Sequence, residues 1–248
     1  MVQKALSHGV VFNANYTWSH CIGDIYDQQP PQGGGVTPPY NRRAFRGNCT
    51  GIDQRQQFVL NLVATSPRLR NQWARRFLSD WQIAPILQIH SGQWLTVTSG
   101  TDRAQTTVAN QTVNQVMPNA YASNKGTANG NATINWLNPA AFAIPALGTY
   151  GTTTDGIVAG PGLIQLNMAL SRTFKIREKT SFQLRGEAFN LPNHLNPGNP
   201  TTTGTSYAPL NSALYGLINS DQSGNIGGGL QVNAGDYRIV QVAAKIVF

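Results

Sequence analysis

The chain has 248 residues, a formal net charge of +8, and only 11% charged side chains, against about 25% in an ordinary soluble domain. No apolar run approaches the about 18 residues a membrane helix needs, which excludes a helical membrane protein, but a membrane β-barrel passes this test because only alternate residues of its strands face lipid. The basic residues fall in two separate groups (Arg42, Arg43 and Arg46; Arg68, Arg70, Arg75 and Arg76) without the single aromatic-interleaved face a nucleic-acid footprint needs, so no nucleic-acid partner is expected.

Strict alternation of apolar and polar residues marks half-buried strands. The first runs over residues 10–18, with Val10, Phe12, Ala14, Tyr16 and Trp18 in one row and Val11, Asn13, Asn15 and Thr17 in the other. The second covers 58–64, setting Phe58, Leu60, Leu62 and Ala64 against Val59, Asn61 and Val63. A third is predicted over 77–90, with Trp81, Ile83, Leu87 and Ile89 opposite Gln82, Gln88 and His90, although Pro85 cannot donate to a ladder. The fourth and fifth span 164–174 and 182–188, and the sixth spans 237–248. In the sixth, Val240, Val242, Ala244, Ile246 and Phe248 form an unbroken apolar row that ends on an aromatic.

The connections between these six strands alternate long, short, long, short, long. Outer-membrane barrels pair long extracellular loops with short periplasmic turns. A soluble sandwich has no reason to keep that parity. The parity predicts residues 28–46 and 100–160 on the extracellular side, 68–76 and 175–179 on the periplasmic side, and both chain ends on the short-turn side. The fold class expected is therefore all-β, an antiparallel transmembrane β-barrel portion of about six strands with long extracellular loops.

Several segments carry a more specific likeness: ANYTWSH at 14–20, DQRQQFVLNLV at 53–63, SDWQIAPILQIHSGQWLTV at 79–97, WLNPAAFAIPALGTYG at 136–151, AGPGLIQLNMALSRTFKI at 159–176, FQLRGEAFNLPNHLNPGNP at 182–200, and the terminal strand. In this order they resemble the C-terminal barrel of a TonB-dependent outer-membrane receptor of the Oar-like kind, whose N-terminus carries a carboxypeptidase-regulatory-like domain. The resemblance implies a barrel of about 22 strands, to which residues 1–248 contribute the C-terminal part. It implies location in the outer membrane of a Gram-negative bacterium, uptake of a substrate, and energisation by the TonB system through an N-terminal plug. No plug, TonB box or export signal is visible, since the sequence after Met1 lacks an apolar h-region. The expectation is a piece of a longer protein. The resemblance also makes Phe248 the signal for the outer-membrane assembly machinery, which adds an edge strand and seats the final aromatic.

Candidate site residues are few. Cys21 and Cys49 flank the first long loop; they are expected to form a loop-stapling disulfide, the alternative being two separate thiols. His8, His20, His90 and His194 lie in separate segments, and no CxxC or paired-His spacing points to a metal. With ten acidic residues and no convincing carboxylate pair, no catalytic site and no cofactor are expected. Arg185 and Glu187 share a strand face and are expected in a lumen-side charge network beside Lys245 and Asp80. Tyr16, Trp18, Trp81, Trp94 and Phe248 are expected in an interfacial girdle. The glycines of 33–35 and 160–162 lack a phosphate-loop context and are expected to be turn residues. Two other functions remain open: a structural or adhesive surface protein, and a secreted carbohydrate-binding protein or enzyme using Trp81, Trp94 and Trp136 as stacking platforms.

Overall fold

A computed structural model describes residues 1–7, 9–24, 37–67, 69–109, 111–128, 133–177, 180–200, 207–222 and 237–247. Seven strands form one sheet: β1 (Val2–Ser7), β2 (Val10–Trp18), β3 (Gln56–Thr65), β4 (Trp81–His90), β5 (Leu163–Lys175), β6 (Ser181–Phe189) and β7 (Ile239–Val247). Each pairs antiparallel with its successor, and β1 and β7 are the two edges.

β1 is additional to the six strands that alternation predicts. Its pattern is broken by Lys4, which falls opposite Phe12 in the apolar row, and by a register shift between Lys4 and Ser7. The extra strand corrects the parity. The first strand begins at the long-loop end of the sheet, and only the last strand ends at the short-turn end.

The third predicted strand is also shorter than alternation has it. Phe77 belongs to a helix, α1 (Gln72–Leu78), inside the turn between β3 and β4. Asn71 caps this helix, its side-chain oxygen accepting from the Trp73 amide at 2.9 Å, and Arg75 and Arg76 lie in its last turn, where cations suit the helix dipole. Asp80 then takes a left-handed φ of 62° as the chain turns into β4. Within β4, Pro85 sits in a central strand. The register to β5 runs through it (Met168 opposite Pro85), whereas that to β3 lapses between Ile83 and Ile86, where proline offers no N–H.

The register fixes two faces across the sheet. Ala14, Leu60, Leu87 and Leu166 form one continuous cross-strand row, extended on the same face by Leu170, Gly186 and Val242. The opposite face carries Asn13, Asn61, Ile86 and Asn167 in line, then Ser171, Arg185 and Ala243. A one-residue slip in any strand would exchange these faces. The described apolar row has no protein over it: Val242 is 74% and Leu184 42% exposed.

The buried core lies elsewhere. At the long-loop end, Trp94–Thr98 pairs with Val158–Ala159 and, in parallel, with Tyr207–Pro209. Asn114–Gln115 pairs with Phe142–Ala143, and Ile134–Asn135 with Leu217–Ile218. These short pieces enclose Leu95, Val97, Val113, Leu137, Ala141, Phe142, Val158 and Tyr215. Glycine permits the closest crossing in this layer: a Cβ on Gly92 would lie 1.9 Å from the Gly160 carbonyl oxygen. Gly162 likewise serves close backbone approach, to the His90 carbonyl, and a Cβ on Gly160 would meet the Asn199 side chain; neither lies in a turn, a correction to the expected role, while 33–35 lie outside the described residues.

Candidate functional site

The long-loop layer is held by buried polar groups drawn from distant parts of the sequence. Thr50 Oγ1 donates to Asp155 Oδ1 at 2.5 Å, and the Thr96 hydroxyl also meets that carboxylate. The first long loop is thereby fixed to Trp94–Thr98 and to the approach to Val158. Asp53, almost fully buried, pairs with Arg55 Nε at 2.8 Å, and Arg55 donates a second bond to Asn48 Oδ1 at 2.6 Å. The same guanidinium lies 5.2 Å from the centre of the Trp94 ring. The ion pair offsets the cost of burying the Asp53 charge through Oδ2, while its Oδ1 is buried without a hydrogen-bond partner among the described residues. The loop carrying these residues is closed by Cys21 and Cys49, joined in the structure with Cα atoms 5.4 Å apart.

Two further centres organise the layer. Gln111, buried, accepts from the Arg103 and Ala104 amides at 2.8 and 2.7 Å and donates to Asp102 Oδ1 at 2.7 Å. The amides of Thr106 and Thr107 also point at Asp102; chiefly the Thr106 N–H, and then the Thr107 and Gln111 donors, hold its carboxyl below the usual range. Lys125 Nζ lies 4.5 Å from the Tyr121 ring and 4.6 Å from the Trp136 ring, while Trp136 Nε1 and the Tyr121 hydroxyl bond the two polar atoms of Ala159. Tyr215 sits in the core with its hydroxyl unpartnered, and burial pushes its phenol well above its ordinary value.

On the sheet, the polar face is mostly carboxamide. Asn15 donates to Asn13 at 2.5 Å, and Gln165 to Asn167 at 3.1 Å. Arg185 pairs with Glu187 across 2.7 Å from Nε to Oε1, and Gln241 donates to the other Glu187 oxygen. The expected network is therefore smaller than predicted: Asp80 lies in the turn before β4, two strands from β6, and Lys245 stands opposite Gln183.

The remaining candidates are dispersed. His20 contacts Asn48 Oδ1 at 3.3 Å, His90 the Ser91 carbonyl at 3.0 Å, and His194 Asn196 Oδ1 at 3.1 Å. Among the described residues no three His, Cys, Asp or Glu converge as a metal site. Tyr16, Trp18 and Trp81 lie in the apolar row, but Trp94 does not. It belongs to the loop layer under Arg55, which corrects the expected girdle. The trio Trp81, Trp94 and Trp136 is not assembled into one platform, since Trp81 lies at the short-turn end and the other two each face a cation in the loop layer. His8 and Phe248 lie outside the described residues. Sequence reasoning missed Asp53, Asp155, Gln111 and Lys125; the partners Thr50 and Thr96 of Asp155 lie far off in sequence, whereas Arg55 beside Asp53, residues 102–106 around Gln111 and Tyr121 beside Lys125 are near in sequence but follow no motif.

A meander of antiparallel strands with one uncovered apolar face, one amide-lined face and all its long connections at one end is the wall of a membrane-spanning β-barrel. A family model described as outer membrane beta barrel domain matches residues 1–241, and the chain belongs to that family. It is an outer-membrane protein of a Gram-negative bacterium. Comparison with curated proteins and with solved structures returned no match.

Proposed function

We propose that this chain is a sector of the barrel of a TonB-dependent, Oar-like receptor that takes up a substrate across the outer membrane. In this reading the long-loop layer faces outward, the α1 turn and the 176–180 turn face the periplasm, and the amide-lined face borders the lumen. The supporting observation is the open seven-stranded arc. Hydrocarbon does not tolerate unpaired strand edges, so β1 and β7 both call for neighbours. A large receptor barrel supplies them, and the segment-by-segment sequence resemblance points to this kind. Reading the gene upstream of the Met1 codon tests the proposal, together with co-purification of its full product with the TonB protein. A plug-encoding frame and a TonB complex are expected; a frame with neither overturns the reading.

Phe248 is proposed as the assembly signal. In a strain lacking periplasmic proteases, Phe248→Asp should lower outer-membrane levels far more than Val247→Asp. Equal, undiminished levels would remove the role. An adhesive surface role is the second reading, favoured by the self-contained loop layer. Attachment that persists without the TonB system, with no energised uptake, would select it.

A further inference from the structure

The turn between β3 and β4 presents an uncovered amphipathic surface that transport does not explain. On α1 the long apolar side chains Trp73, Phe77 and Leu78 share one arc of the helix, and Gln72, Arg75 and Arg76 the other. The three apolar side chains are 72%, 59% and 60% exposed. In a water-facing turn that arc would be an unfavourable arrangement.

The helix is tied to the lipid-facing row of the sheet. Trp81 Nε1 donates to the Phe77 carbonyl at 2.8 Å, and the Arg172 guanidinium donates to the Arg76 carbonyl. Arg172 in turn lies 5.3 Å from the Trp81 ring centre and 4.7 Å from that of Phe174, which stacks on Phe182. Trp81, Arg172, Phe174 and Phe182 all belong to the apolar row, so the exposed arc of α1 continues the surface that meets lipid. A groove of about 1200 Å³ beside the helix brings Arg75 and Arg76 together with Arg172 of the apolar row, and runs over the strand ends onto the amide-lined face, where Ser171 and Lys175 line it beside Asp80. An apolar, largely aromatic surface ending in three clustered arginines at the level of the strand ends matches one partner: a diacyl lipid with an anionic phosphate head.

We propose that α1 and the short-turn ends of β4 and β5 form a binding site for an anionic phospholipid. The acyl chains lie along Phe174 and Phe182, Trp73 and Phe77 insert at the headgroup boundary, and Arg75 and Arg76 hold the phosphate. The choice of phospholipid over lipid A rests on the reading that the short turns face the periplasmic leaflet.

The test is native mass spectrometry of the full chain extracted in detergent from outer membranes, titrated with phosphatidylglycerol, cardiolipin, phosphatidylcholine and lipid A. Arg75→Gln/Arg76→Gln should weaken phosphatidylglycerol and cardiolipin binding by roughly thirtyfold, the effect of two membrane-surface arginines. Arg42→Gln/Arg43→Gln makes the same charge change on exposed long-loop residues and should leave binding intact. Arg75→Lys/Arg76→Lys keeps the charge and should retain most of the binding, which separates charge loss from misfolding. Equal binding of phosphatidylcholine, or equal binding by the glutamine variant, overturns the site. Preference for lipid A through the same arginines instead overturns the sidedness on which the phospholipid assignment depends.

Discussion

The sheet and the loop layer bury apolar side chains in opposite senses. In the loop layer Leu95, Val97, Val113 and Val158 are each 0% exposed and packed on one another; in the sheet Val240 and Val242 are 66% and 74% exposed. One region follows the rule of a water-soluble core, and the other completes its packing with hydrocarbon chains. A single chain therefore answers to two solvents, and a given substitution has a different consequence in each. The difference is sharpest for leucine. Leu95→Ala should destabilise the loop layer by about 2–5 kcal/mol, the cost of a core cavity. Leu184→Ala should cost clearly less, because lipid fills the space. Equilibrium unfolding in lipid vesicles would compare them, and equal losses would break the distinction.

The covalent tie of the loop layer comes next. In the chain-entropy model, closing the 28-residue separation of Cys21 and Cys49 contributes about 3–4 kcal/mol. Reduction should open the first long loop to protease while the strands stay resistant. Thiols that alkylate without reductant in native protein would show that the tie does not exist there. On the sheet, Leu166→Arg should cost about 2–4 kcal/mol in a bilayer, and Asn167→Arg, on the other face, little. Spin labels at Phe12, Leu60, Leu166, Leu184 and Val242 should respond to a lipid-soluble relaxer, and those at Asn13, Asn61, Asn167, Arg185 and Gln241 should not. A common response at both sets would invalidate the register. The smallest effect concerns Asp102. Its lowered pKa means its contribution to the fold of residues 102–111 is present above the ordinary carboxylate range and is lost as pH falls through the lowered value. Acid titration followed by hydrogen exchange of the Thr106 and Thr107 amides should show this loss, and Asp102→Asn should abolish the dependence.

The two regions were also unequally legible in the sequence. The faces of β2 to β7 follow from period-two alternation, because each strand's row is set by its own residues. β1 escaped notice because Lys4 interrupts its row, and α1 because Phe77 extended the alternation of the strand after it. The loop layer was almost invisible. Its core draws Leu95, Val113, Leu137, Val158 and Tyr215 from pieces of a few residues, too short to show any period. Cys21 and Cys49 stood out only because cysteine is rare here, whereas the Thr50–Asp155 contact joins residues 105 apart and has no local signature.

The amide-lined face carries a consequence for permeation. Between the strand ends its one acid, Glu187, is neutralised by Arg185 on the same face, while Lys245, opposite Gln183 on that face, adds a positive charge among mostly Asn, Gln, Ser and Ala positions. A dissolved ion moving along this sector of the wall would meet dipoles that turn either end toward it and, at Lys245, a fixed positive charge. This sector would therefore favour anions only weakly over cations, and neutral solutes would find hydrogen-bonding partners along much of the wall.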